Sequence, residues 1–218
     1  MRFFFLAVLL LTLLPTCTDP QKPVVEDDIY LPEDEARQDD RSRMIWQQPG
    51  AVMDAMGDIR EKVIADIGAG EGFFAERLAP IADRVIAVEI DEKYISYLDT
   101  LRRFGLQKEF RPRLEPRLAT ADDPHLEKSE VDIILIVNTF MLIENKVDYL
   151  KKLYPALRSD GRMVIVDWKR KETTIGPPKN DRLALGSLED MLRDAGFRVT
   201  SADDGTLEYQ YIVVAEKE

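Results

Sequence analysis

The chain has 218 residues, 45% of them hydrophobic and 33% charged, which is enough for one well-packed domain and short for two. Its 41 acidic side chains against 30 basic ones leave a formal net charge of −11. An acidic surface repels phosphate backbones, so no nucleic-acid partner is expected, and no set of metal ligands is read in the chain.

The first segment, "MRFFFLAVLLLTLLPTC", carries Arg2 and then an apolar run from Phe3 to Leu14. That run is too short to span a bilayer and has the length of a secretory h-region. Cys17, the single cysteine, follows it directly, and "LPTC" resembles a bacterial lipobox with Thr16 and Pro15 at atypical places. Residues 1–17 therefore read as a signal segment ending in a lipid-bearing cysteine. The expected location is exported and membrane-anchored, or cytoplasmic if the segment stays unprocessed. Residues 18–42 hold nine acidic, three basic and three proline residues. They bury too little surface to offset ordering entropy and read as a tether. The folded domain is expected over residues 43–218.

Within that domain, "QQPGAVMDAMGDIR" predicts a short helix with Pro49 in its first turn and Gly57 as its stop. Lys62 to Ile67 reads as a buried strand, followed by a turn containing Gly68, Gly70 and Gly72, and a helix from Phe73 to Leu78. "DRVIAVEID" is a second strand, and "EKYISYLDTLRRFG" a helix closed by Gly105. "RLEPRLAT" is a third strand broken by Pro116, and residues 131–138 form a fourth that is apolar at consecutive positions. A helix around Val147 to Leu157 is expected to kink at Pro155, and a "SDG" turn at 159–161 to precede the strand "RMVIVDW". The helix "SLEDMLRDAGF" and the strands "RVTSADD" and "LEYQYIVVAEK" complete the chain. Alternating strands and helices predict an α/β, doubly wound, mostly parallel seven-stranded sheet, and the last two strands an antiparallel hairpin at one edge.

In such a sheet ligands bind beyond the carboxyl ends of the strands. The glycine spacing is G-x-G-x-G, and Phe73 stands where a dinucleotide fingerprint has its third glycine. Asp66, two residues before Gly68, would oppose a pyrophosphate but suits an ammonium group. Glu89 ends the second strand and suits two ribose hydroxyls. A ligand with ribose, positive charge and no phosphate follows, and S-adenosylmethionine has those properties.

"VIADIGAGEGFFAERLA" with "VIAVEID" resembles the first two motifs of the class I S-adenosylmethionine-dependent methyltransferases, and the similarity runs over about residues 43–218. It implies that Asp66 and the backbone of Gly68, Ala69, Gly70 and Gly72 hold the methionine portion and ribose. Glu89 would bond the ribose hydroxyls, and Ile90 would pack on adenine. Ala121 and Asp122, in the loop after strand three, would face the adenine edge, and Asn138 the sulfonium and the acceptor. Each has a plainer reading: a tight turn for the glycines, a strand end for Glu89, a loop carboxylate for Asp122.

Methyl transfer rests largely on in-line positioning, and a base is needed only if the nucleophile must lose a proton. Asn138 and Asp167 are the catalytic candidates, with Asp181 behind them. Many relatives carry an acid and a histidine after strand four, where this chain has "NTFMLI". The single histidine, His125, follows the adenine loop. Phe140, Met141 and Trp168 would line an apolar acceptor pocket, although Phe140 and Met141 suit the core equally. The resulting expectation is methyl transfer to a small or lipophilic acceptor. The alternative is a non-catalytic exported lipoprotein that binds a ligand or partner.

Overall fold

A computed structural model describes residues 42–218; the leader and tether expected over residues 1–41 lie outside the described residues. Ser42, expected as the last tether residue, opens a helical turn over 42–46. In chain order the main elements are α1 (Pro49–Met56), β1 (Val63–Ile67), α2 (Phe73–Leu78), β2 (Arg84–Glu89) and α3 (Glu92–Thr100). There follow β3 (Leu114–Leu118), β4 (Val131–Val137), α4 (Lys146–Ala156), β5 (Leu157–Trp168), α5 (Leu185–Asp194), β6 (Phe197–Asp203) and β7 (Gln210–Lys217). The seven strands form one sheet in the order β3-β2-β1-β4-β5-β7-β6. All neighbouring pairs from β3 to β5 are parallel, while β7 runs antiparallel to both β5 and β6. The expected doubly wound sheet with a C-terminal hairpin is the architecture observed.

Both faces of the sheet are covered, which is why β4 is apolar at nearly every position. Ile134 and Ile136 pack with Leu150 and Leu153 of α4 and Leu188 and Leu192 of α5. Ile133, Leu135 and Val137 pack on the other face with Val52 and Met56 of α1, Phe74 and Leu78 of α2, and Leu98 of α3. Fully burying each such side chain contributes about 1.5–3 kcal/mol.

Three local expectations are refined. Pro116 does not break β3: it pairs in register with Ala87, and β3 is an edge strand, where a missing N–H leaves no ladder bond unmade. Pro155 is the penultimate residue of α4, so it ends the helix at Ala156. The "SDG" segment is not a turn before β5 but an excursion inside it. Val131 pairs with Leu157, yet Ile133 pairs with Arg162, so residues 158–161 bulge from the ladder. The bulge brings Arg158 to Asp132, whose Oδ2 also accepts the Val63 amide at 2.8 Å and so fixes the start of β1.

The sheet order reverses between β1 and β4. Crossovers leave β1 in one direction and β4 in the other, which opens a crevice above their carboxyl ends.

Candidate functional site

A cavity of about 770 Å³ occupies that crevice. Its walls include Gly68 after β1, Glu89 and Ile90 after β2, Ala121 and Asp122 after β3, and Thr139 after β4. Tyr149 and Lys152 of α4 close the far side. Of the residues expected to hold the ligand, Gly68, Glu89, Ile90, Ala121 and Asp122 are therefore brought together, while Asp66, Ala69, Gly70, Gly72, Asn138 and Asp167 are not in this wall.

The three glycines have three different tasks. A Cβ on Gly68 (φ +72°) would lie 2.4 Å from Thr139, so this glycine lets the segment after β4 approach β1. A Cβ on Gly72 (φ +85°) would lie 2.5 Å from Leu101 and 2.9 Å from Leu98, so Gly72 seats the turn against α3 and its continuation. Gly70 (φ +54°) has nothing within 4 Å of the same point; it is the glycine that leaves backbone uncovered.

Four of the five amides from Gly68 to Gly72 are committed to protein acceptors. Gly68 and Ala69 donate to the Val88 carbonyl at 2.9 and 3.1 Å, and Gly72 donates to Ala69. Gly70 donates to Glu89 Oε2 at 2.9 Å. A phosphate cradle needs such groups pointing free at the anion, and here four of them are spent. Glu89 Oε1 accepts from the amides of Ile90 at 2.7 Å and Asp91 at 3.3 Å. With about four lone-pair sites on a carboxylate, Oε2 keeps one for a further donor.

Asp66 lies on β1 in register with Ala87 of β2 and Leu135 of β4, on the sheet face that α2 covers. It is buried, and its Oδ2 has no hydrogen-bond partner, the one such side-chain atom among the described residues. Burial pushes its carboxyl up to about 7, opposed by the nearby Arg43 charge and aided by Glu89; the Ala75 amide donates to it. Asp66 pairs with Ala87, two residues before Glu89, and Glu89 accepts from Gly70, so the two acids stand on neighbouring strand tips around one turn.

In the loop after β3, Thr120 Oγ1 donates to Asp122 Oδ1 at 2.9 Å and, with Lys152, holds that carboxyl below its ordinary range. Asp123 instead bridges backbone to Thr120 and accepts the His125 amide, which leaves Asp122 as the acid of this loop that lines the cavity. Lys152 Nζ reaches the Asp122 carbonyl at 2.6 Å and latches α4 to this loop. Ile90, 59% exposed, offers an apolar face in the same wall.

Asp167 is fully buried, and both its oxygens are occupied. Oδ2 accepts the Met141 amide at 2.9 Å and Oδ1 the Trp168 amide at 2.8 Å. Burial lifts it to about 6. The geometry makes it a bracket fastening the segment after β4 to the end of β5. Phe140 is buried in the core, and Asp181 lies exposed on a short helical turn. Trp168 stacks on Trp46 with centroids 5.0 Å apart. The loop beyond Trp168 is organised by Arg182, whose five N–H groups meet Pro177, Lys169, Lys171 and Ile175 carbonyls and the Thr173 hydroxyl.

Sequence reasoning missed Trp46, Gln47, Arg182 and Gln210. Gln47 and Gln210, both fully buried, bond each other at 3.1 Å across 163 positions of sequence. Gln210 Nε2 donates to Asn138 Oδ1, and Arg43 Nε donates to Gln47 Oε1.

A family model described as a methyltransferase domain matches residues 65–165, from β1 to β5. The sheet order, the crevice and this match agree. This is the Rossmann-like methyltransferase fold. A solved S-adenosylmethionine-dependent methyltransferase from Aquifex aeolicus is 24% identical with a TM-score of 0.75, over 85% of this chain and 98% of that one. A probable S-adenosylmethionine-dependent methyltransferase of Mycobacterium tuberculosis is 27% identical over 143 residues, 62% of this chain. The chain spans about half the length of the curated relatives it matches, 48% for that one. The [4+2]-cyclase SpnF shares the fold at 14% identity and a TM-score of 0.65, over 78% of this chain and 80% of its own. The methyltransferase matches imply S-adenosylmethionine as the cofactor, and the residues present fit it: a cavity of sufficient size, an orphaned buried carboxylate oxygen, a bare Gly70, and an acid with one open site.

Proposed function

We propose that this chain binds S-adenosylmethionine in the crevice above β1 and β4 and transfers its methyl group to a small or lipophilic acceptor. One observation carries the reading: a glycine turn with four of its five amides already spent stands beside a buried carboxylate with an unpartnered oxygen. That pairing disfavours a pyrophosphate and favours a cationic nucleoside. Glu89 Oε2 takes a ribose hydroxyl, Ile90 packs on the adenine, and Ala121 and Asp122 read its edge. Asp66 compensates the ammonium across the bare Gly70. The cofactor supplies an already activated methyl group, so this chain's residues have to align the acceptor rather than generate charge.

Neither Asn138 nor Thr139 titrates near neutral pH, and Asp167 is spent on two amides. Transfer without a protein base follows, and the acceptor must enter with its lone pair available. The test is a transfer assay with isotopically labelled S-adenosylmethionine over a panel of carboxylate, phenol, amine and thiol acceptors. Label in any product supports the reading. Binding without transfer across the panel would move the account to a ligand-binding protein on a shared fold, as the cyclase allows. We further propose attachment to a membrane through Cys17. Cys17→Ser is expected to move the full chain from the membrane fraction to the soluble one, and unchanged partitioning contradicts the anchor.

A further inference from the structure

The three amides Gln47, Gln210 and Asn138 form a chain whose direction is set at one end. A guanidinium donates and never accepts, so Arg43 Nε fixes Gln47 with its carbonyl toward the arginine. Gln47 then has only its NH2 for Gln210 Oε1, at 3.1 Å. Gln210 in turn has only its NH2 for Asn138 Oδ1. Reversing any one amide would face donor with donor. Asn138 is left with its oxygen turned toward Gln210, one of its two lone pairs taken, and its NH2 without a protein partner. It is not among the buried unsatisfied atoms of the described residues, so that NH2 is open to solvent. Asn138 stands at the tip of β4 with φ +58°, next to Thr139 in the cavity wall.

We propose that Arg43, Gln47 and Gln210 are positioning residues that lock Asn138 as a one-way hydrogen-bond donor at the methyl-transfer centre. The acceptor substrate then presents a hydrogen-bond-accepting oxygen there, such as a carboxylate or phenolate, and not an N–H. An amine acceptor would have to share the Asn138 carbonyl, which is turned toward Gln210 and already accepts from it, whereas the NH2 is unshared. A donor at this place also steadies the negative charge of an oxygen nucleophile, in keeping with the lack of a base.

The inference rests on the methyl-transfer reading for what the donor meets, but the polarity of the relay is testable without any ligand. Gln47→Glu replaces the first amide by a carboxylate that keeps Arg43 as its partner and cannot donate. Gln210 must then turn its NH2 toward Glu and its carbonyl toward Asn138, and Asn138 must turn its carbonyl outward. In the 15N-labelled full chain, the Asn138 side-chain resonance is identified by its loss in Asn138→Asp. Its NH2 protons are expected to exchange quickly in the native chain. In Gln47→Glu they should slow about tenfold, the worth of one hydrogen bond. Gln210→Glu forces the same inversion and replaces Gln47→Glu if that variant does not fold. Protected Asn138 protons in the native chain, or no slowing in the folded variant, overturn the proposal.

Titration with benzoate and with benzylamine, in the presence of S-adenosylhomocysteine, tests the substrate class. Benzoate is expected to shift the native Asn138 resonance and benzylamine not to, with the order exchanged in the variant. No response to benzoate, or a native response to benzylamine, contradicts it. Absence of S-adenosylhomocysteine binding to the folded chain would instead strike the methyl-transfer reading and leave the exchange result to stand by itself.

Discussion

Burial holds the Asp66 carboxyl up to about 7, whereas its ordinary value is 3.8. Between those values the folded chain keeps a proton that the unfolded chain has lost. Stability therefore falls as pH rises across that window and levels off above it, by at most about 1.4 kcal/mol per pH unit. Asp167, lifted to about 6, acts in the same direction over the lower part of the window. Asp66→Asn has no such proton to hold, and its melting temperature is expected to fall less between pH 5 and 8 than that of the native chain. A cation docking on Asp66 favours the ionised form. Binding S-adenosylmethionine near pH 6.5 should thus release up to about one proton, read from calorimetry in buffers of different ionisation enthalpy. Asp66→Asn should abolish the release; an equal release from the variant would assign it elsewhere.

The glycine turn and the loop after β5 carry the next predictions. Gly70→Ala adds a methyl where nothing stands within 4 Å, so folding should lose only the left-handed backbone penalty, about 1–2 kcal/mol, while ligand affinity drops at least about tenfold. Gly72→Ala bears the same penalty and also drives a methyl into Leu101 and Leu98, adding about 1–3 kcal/mol. Thermal melts and titrations of the two variants should separate: binding lost in the first, stability in the second. If both lose only stability, Gly70 does not face a ligand. Arg182 gathers the loop from Lys169 to Asp181 by donating all five N–H groups to it. Arg182→Lys has three donors and no planar fork. It should free amides of this loop for fast hydrogen exchange and lower stability by about 1–3 kcal/mol. Unchanged exchange would show that the loop holds without it.

The sheet was legible because its strands are covered on both faces: "VDIILIV" is buried at every position, and its shortness and β-branched content mark a strand rather than a helix. The hairpin was legible from two strands following one helix. The excursion at 159–161 was not, because Asp-Gly signals a turn without saying whether the ladder resumes beyond it, and here it does. Gly68, just after β1, and Glu89, the last residue of β2, could be found from the glycine spacing and the strand ends, whereas Asp122 was reached only through the family resemblance. Gln47 and Gln210 could not be. They are ordinary polar residues 163 positions apart, and only folding reveals that both are fully buried and joined. Arg182 likewise reads as one basic residue among many until its loop closes around it. The central claim is that this crevice, in a chain of net charge −11, admits a cationic nucleoside and refuses a phosphorylated one. Calorimetric titration of the full chain with S-adenosylmethionine and, separately, with NAD tests it most directly. One-to-one binding of S-adenosylmethionine with no heat from NAD is the predicted result. Binding of NAD, or no heat from S-adenosylmethionine with the chain folded, would contradict it.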